Sequence, residues 1–197
     1  MLLTLKEMLE VAKKNHFAVG AFNTTDLNLF RSVVEEAEST NSPAIIQFAT
    51  GEFNFATSDF FAYVTKRLAR SKMPFVLHLD HGKTVDDCIK AIQTGFTSVM
   101  IDGSDLSFED NIALTKKVVE IAHACNVSVE GEIGTIGAMS NTDEGGVEHI
   151  TYTNPEDVVM FTQSTGVDAL AVAIGTAHGI YPKNYVPKLQ LDILEQI

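Results

Sequence analysis

Six short apolar runs, each followed by a segment of helical periodicity, constrain this chain more than any other feature. They fall at 17–23 (FAVGAFN), 44–50 (AIIQFAT), 75–81 (FVLHLDH), 98–103 (SVMIDG), 128–134 (SVEGEIG) and 169–175 (ALAVAIG). Most are apolar almost throughout rather than alternating, as expected of strands covered on both faces in a parallel sheet under helices. Helix start and stop signals fall between them. Thr4 with Glu7 and Ser107 with Asp110 have the capping-box form, in which hydroxyl and carboxylate satisfy orphan backbone donors. Asn154 puts a cap before Pro155 at a first helical position, and Gly95 and Gly166 stand where C-terminal caps belong.

A βα order repeated six times predicts either a doubly wound sheet or a (β/α)8 TIM barrel. Polar residues end nearly every run: Asn23, Thr50, Asp80, His81, Asp102, Glu130 and Glu132, with His178 just beyond the last. A barrel gathers its site at that rim from many strands, whereas a doubly wound sheet concentrates it at one switch point, often behind a GxGxxG turn that this sequence lacks. The reading is therefore α/β, a TIM barrel in one domain over residues 1–197. A complete eightfold barrel takes roughly 250 residues, so only about the first six βα units are expected here, without strands seven and eight. The segment 188–197 (KLQLDILEQI) reads as the start of the sixth helix.

With 26 acidic and 14 basic side chains, the net charge of −12 argues against nucleic acid or an anionic membrane as partner. An anionic substrate would need a metal, backbone N–H groups or one aimed cation. Lys6 and Glu7 interrupt the N-terminus before an apolar core forms, so it is not read as a signal peptide, and no run approaches the roughly 20 residues of a membrane span. Cys88 and Cys125, both in helical patterns, suit a reduced, cytoplasmic setting.

Four constellations could carry chemistry. In HLDHG (78–82), an imidazole at a strand end beside a carboxylate suits a metal ligand next to a proton-transfer group. A histidine so placed serves equally well as a hydrogen-bonded core group. By the period of two, His78 and His81 point to opposite sides of the strand, leaving His81 as the ligand candidate and His78 packed inside. In GTAHG (175–179), a glycine-flanked histidine is either a plain turn or an imidazole beside anion-binding N–H groups. Asp102, Glu130 and Glu132 are costly to bury without a cation or hydrogen bonds, and the neighbouring strand ends offer histidines rather than lysines, which favours a metal. The glycine-rich stretch 134–146 is not expected to hold one fixed conformation and reads as either an inert loop or a lid carrying Asp143 or Glu144. His16, His123 and His149 read as structural or solvated, and the phenylalanines between Phe53 and Phe61 as packing.

Taken together, GAFN (20–23), HLDHG (78–82), MIDGS (100–104), VEGEIG (129–134) and GVDALAVAIGTAHG (166–179) resemble the class II, metal-dependent ketose-bisphosphate aldolases, the fructose- and tagatose-bisphosphate type. The resemblance spans essentially the whole chain. It implies His81 and His178 as ligands of a catalytic Zn2+, Asp80 as the proton-transfer residue, and Asp102 and Glu132 as an alternative or second position for a divalent or monovalent cation. It implies Asn23, Thr50 and Gly179 as substrate contacts, Thr50 standing where a serine is common, and Glu144 as the loop base. The family's third zinc histidine and its phosphate-binding segments have no match before Ile197, which predicts a weak, open metal site in this chain.

What the resemblance implies for activity is reversible cleavage of a ketose 1,6-bisphosphate, chiefly fructose 1,6-bisphosphate, to dihydroxyacetone phosphate and glyceraldehyde 3-phosphate, in a cytoplasmic homodimer or homotetramer. The alternatives are tagatose bisphosphate as substrate, another metal-dependent barrel enzyme, or a non-catalytic barrel subunit. A lysine Schiff-base aldolase is disfavoured because no lysine ends a candidate strand.

Overall fold

Parallel pairing runs unbroken across the six expected strands in a computed structural model that describes residues 1–138, 150–181 and 183–197. In chain order the elements are α1 (Leu5–Asn15), β1 (Gly20–Asn23), α2 (Leu27–Ser39), β2 (Ala44–Ala49), α3 (Thr50–Phe55), α4 (Ser58–Arg70), β3 (Phe75–Gly82), α5 (Val85–Thr94), β4 (Ser98–Ile101), α6 (Phe108–Ala124), β5 (Ser128–Ile133), β6 (Gly137–Ala138), α7 (Pro155–Thr165), β7 (Ala169–Val172), β8 (Ala177–His178) and α8 (Leu191–Gln196). The main sheet has the order β1-β2-β3-β4-β5-β7 and forms a half-barrel with helices outside. Its strands begin within three residues of the positions read from the apolar runs. Thr50, expected to end a strand, instead opens the short helix α3.

Strand alternation sorts the side chains into two layers. Ile46, Phe48, Leu77, Leu79, Val99, Ile101 and Val129 face outward and are buried with Val34, Val64, Leu68, Ala91, Val118 and Ala122 of the helices. Phe48, Phe53, Phe61 and Phe96 pack there edge-on or tilted, with ring centroids 5.1–6.2 Å apart, so Phe53 of α3 and Phe61 of α4 are core, whereas Phe55 is exposed. On the inner side, Ile45 and Val76 meet Leu5 and Met8 of α1, which closes the N-terminal end of the half-barrel. Above that apolar floor the inner residues turn polar: Gln47, His78, Asp80, Glu130 and Glu132. His78 is 1% exposed and shares a 2.8 Å hydrogen bond with Ser98 Oγ.

Caps set the helix limits as their chemistry requires. Thr4 and Glu7 form a reciprocal capping box, Asn154 Oδ1 accepts from the Glu156 N–H ahead of Pro155, and Gly95 and Gly166 close α5 and α7 at φ 99° and 75°. Ser107 accepts from Asp110 N, but its hydroxyl donates to the Asp110 carboxylate, so half of the expected box forms. A complete box also forms at Thr84 and Asp87, a pair that sequence reading did not single out.

The period of two fails at one place, and that failure shapes the rim. Leu79 pairs with Val99 and Gly82 with Ile101, three steps on β3 against two on β4. This is a β-bulge, with His81 at φ 49°. The expectation that His78 and His81 face opposite sides is therefore corrected. The extra residue resets the alternation, so Asp80 and His81 both face the inner side, as His78 does, while Leu79 and Gly82 face the helices. Gly82 is required there, since a Cβ would lie 2.7 Å from the Met100 carbonyl oxygen.

At the floor, Asp168 ties three elements together. Its carboxylate is 4% exposed, accepts from Val129 N (2.9 Å) and His123 Nε2 (2.8 Å), and lies 3.3 Å from Lys6 Nζ. His123 is thus structural, as read. Burial alone would raise the Asp168 pKa, but the Val129 N–H, His123 and Lys6 outweigh it and hold the carboxyl below its ordinary value. A depressed carboxylate pKa gives stability that is fully present above the ordinary value near 3.8 and is lost as pH falls through the folded-state pKa.

Two stability predictions arise here. Asp168→Asn leaves buried donors poorly paired and should lower urea stability at pH 7 by about 1–3 kcal/mol, with the gap from the parent closing below pH 3.8; a constant gap across that range would disprove the linkage. Gly82→Ala should cost roughly 1–3 kcal/mol by overpacking, seen as a lower thermal midpoint, and an unchanged midpoint would show that the bulge can give way.

Candidate active site

Asp80 is fixed from two neighbouring strands. Asn23 Nδ2, ending β1, donates to Asp80 Oδ2 at 2.8 Å, and Gln47 Nε2 of β2 donates to Oδ1 at 3.3 Å. Both amides lie on the inner side in register with β3, where Gln47 pairs with His78 and Ala49 with Asp80. Thr50 Oγ1 donates to the His81 carbonyl at 2.8 Å, so the first residue of α3 pins the bulge. Asn23 and Thr50 thus stand against the two residues of the HLDHG stretch that sequence reading put at the centre. Gln47 went unnoticed because a single amide in an apolar run carries no motif.

His81, Asp102 and Glu132 converge beside Asp80. Each offers a ligand atom, and these atoms all lie within 4.8 Å of one another. His81 Nδ1 is 3.0 Å from Asp102 Oδ2 and 3.8 Å from Glu132 Oε2. The His178 ring reaches the same place from β8, its centroid 5.5 Å from that of His81 and the planes at 72°. β8 pairs with β6, and Ala177 N donates to Tyr181 Oη at 2.7 Å, which fixes the backbone before His178. Gly179 follows at φ 92°.

Two expectations need correction. The stretch after Gly134 has a defined start: Thr135 bridges Thr151, and Gly137–Ala138 forms β6. Asp143, Glu144 and His149 lie outside the described residues. Nor is the rim free of lysine. Lys83 directly follows β3, and its Nζ lies 2.5 Å from Asp102 Oδ2. Sequence reading passed over it because it stands two residues beyond the apolar run.

Burial and charge set the protonation of the cluster. Burial drives the Glu132 pKa up to about 7, aided by Asp102 and opposed by His81 and Lys83. Burial likewise raises Glu130 to about 7, with Asp80 adding to it and His81 opposing. Burial works against a charged His81, but the Asp102 bond together with Asp80 and Glu132 overcomes it and lifts the ring to about 9. Burial also lowers His78 to about 4, Asp80 opposing in part. Asp102 stays far below the carboxylate range: burial raises it, and the bonds from His81, Lys83 and Ser104 prevail. Four carboxyl groups thus face His81 and Lys83 as the nearby cationic groups. Glu132 is 2% exposed, and its Oε2 has no hydrogen-bond partner among the described residues. A buried orphan acceptor amid excess negative charge, with imidazoles beside it, is a donor set that fits a divalent cation.

The chain is similar to known proteins. Residues 3–197 match the family described as fructose-bisphosphate aldolase class-II. A 6-phospho-5-dehydro-2-deoxy-D-gluconate aldolase of Halalkalibacterium halodurans is 42% identical over 204 residues, covering 100% of this chain and 68% of the relative. A fructose-bisphosphate aldolase of Staphylococcus aureus is 39% identical over 203 residues, with coverage of 100% and 68%. The solved YdjI aldolase of Escherichia coli K12 superposes with a TM-score of 0.85 at 31% identity, covering 100% of this chain and 68% of that one. The fructose-bisphosphate aldolase of Campylobacter jejuni gives 0.77 at 25% identity, with 99% and 63% covered. This chain belongs to the class II fructose-bisphosphate aldolase family of lyases.

Proposed function

We propose that this protein catalyses the reversible, zinc-dependent aldol cleavage of a phosphorylated ketose, with fructose 1,6-bisphosphate as substrate and dihydroxyacetone phosphate and glyceraldehyde 3-phosphate as products. The observation that carries the reading is Asp80, clamped by the Asn23 and Gln47 amides, next to the converging His81, His178, Asp102 and Glu132. His81 and His178 would hold the zinc, and Asp102 with Glu132 would offer a second cation position. When bound, a divalent cation supplies the positive charge that stabilises the oxygen anion developing as the carbon–carbon bond breaks.

The remaining work falls to the protein. Asp80 takes the proton from the C4 hydroxyl in cleavage and returns it in condensation, acting as general base and then general acid. The two amides fix its carboxylate in position, so no reorientation accompanies the transfer. Asn23, Thr50 and Gly179 are assigned to the substrate, Gly179 through backbone near a phosphate, and Glu144 to exchange of the C3 proton. The 42% identity to a 6-phospho-5-dehydro-2-deoxy-D-gluconate aldolase favours that phosphorylated keto acid as a second substrate to weigh.

The purified chain should release dihydroxyacetone phosphate from fructose 1,6-bisphosphate in a zinc-dependent, EDTA-sensitive manner. Consumption of 6-phospho-5-dehydro-2-deoxy-D-gluconate alone would move the assignment to that substrate. Asp80→Ala should lower turnover by roughly 10²–10⁴-fold while the metal content measured by mass spectrometry stays the same, and near-normal turnover in that variant would refute the role of Asp80.

A further inference from the structure

We infer that Lys83 serves as a built-in cation in the second cation position, so that its ammonium group limits the site to one divalent ion. This deepens the metal reading above and rests on it. The distribution of hydrogen bonds over the two buried carboxylates supports it. Asp102 is fully subscribed: Oδ1 accepts from Ser104 N at 3.0 Å and Ser104 Oγ at 2.6 Å, while Oδ2 faces Lys83 Nζ at 2.5 Å and His81 Nδ1 at 3.0 Å. Four partners fill the roughly four lone-pair directions of a carboxylate. Glu132, a few ångströms away, is the opposite case, buried with Oε2 unpaired.

Asp102 in this state orients His81 rather than acting as a ligand, in the manner of a carboxylate that receives the second ring nitrogen of a metal-binding histidine. The Lys83 ammonium supplies the charge that would otherwise call for a second ion, and it repels one at short range. Asp105, 3.9 Å from Nζ, holds the same ammonium group from the solvent side. Lys83 is half-exposed, so its head can be removed without opening the core. Lys83 is therefore a positioning residue that sets metal stoichiometry and keeps Asp102 on His81.

The test is equilibrium dialysis of the full chain against Co2+ at matched free concentrations, with bound ions per chain counted by mass spectrometry and folding checked by circular dichroism. Lys83→Met should bind one more ion than the parent, Lys83→Gln should do the same, and Lys83→Arg should match the parent. Equal counts in Lys83→Met and the parent, or two ions already in the parent, would overturn the inference. A parent count of zero would instead defeat the metal reading, and the increment in Lys83→Met still decides the role of Lys83 on its own.

Discussion

The site depends on one extra residue in β3. A regular strand would send Asp80 inward and His81 out among the helices, leaving an acid and no ligand on the inner side. The bulge between Leu79 and Gly82 turns both inward. Its consequences extend outward from that point. Gly82 must lack a side chain because the strand then runs close to the Met100 carbonyl. His81 takes a left-handed conformation, and the hydroxyl of Thr50 secures its carbonyl. Local strain of this kind persists where surrounding contacts over-determine it, and here α3, β4 and the aromatic layer behind β2 provide those contacts.

Around that bulge the half-barrel divides its interior by height. The lower part, closed by α1, is apolar, with Ile45 and Val76 against Leu5 and Met8. The upper part holds buried acids that would be unfavourable in isolation. They are not met alike. Asp80 is met by two amides and Asp102 by Lys83, Ser104 and His81, whereas Glu130, its Oε2 3.4 Å from His78 Nε2, responds to burial with a pKa raised to about 7. Among the described residues, Glu132 Oε2 finds no hydrogen-bond partner. The contrast between a saturated Asp102 and an unsaturated Glu132 gives the cluster its polarity, with cation demand concentrated on one side of His81.

Much of the fold was readable from the chain in order. Six apolar runs gave six strands in one parallel sheet, because strands buried on both faces leave a continuous hydrophobic signature that needs no tertiary information. Helix limits at Thr4, Asn154, Gly95 and Gly166 were equally local. The site was legible where residues cluster in sequence, as in HLDHG, and where polar residues end strands, as at Asn23 and Asp102. It was not legible where it depends on register. Gln47 reaches Asp80 only because β2 and β3 pair with Ala49 opposite Asp80, and Lys83 reaches Asp102 only because β4 lies beside β3.

By itself, the sequence determined the element order, the both-sides-buried character of the strands and the group of acids and histidines at their C-terminal ends, all of which follow from residue type and local period. Tertiary structure alone decided which of those groups touch. A bulge is invisible to a period-two reading, and the pairing of an ammonium or amide with a particular carboxylate depends on ångström-scale strand register, which apolar patterning leaves open.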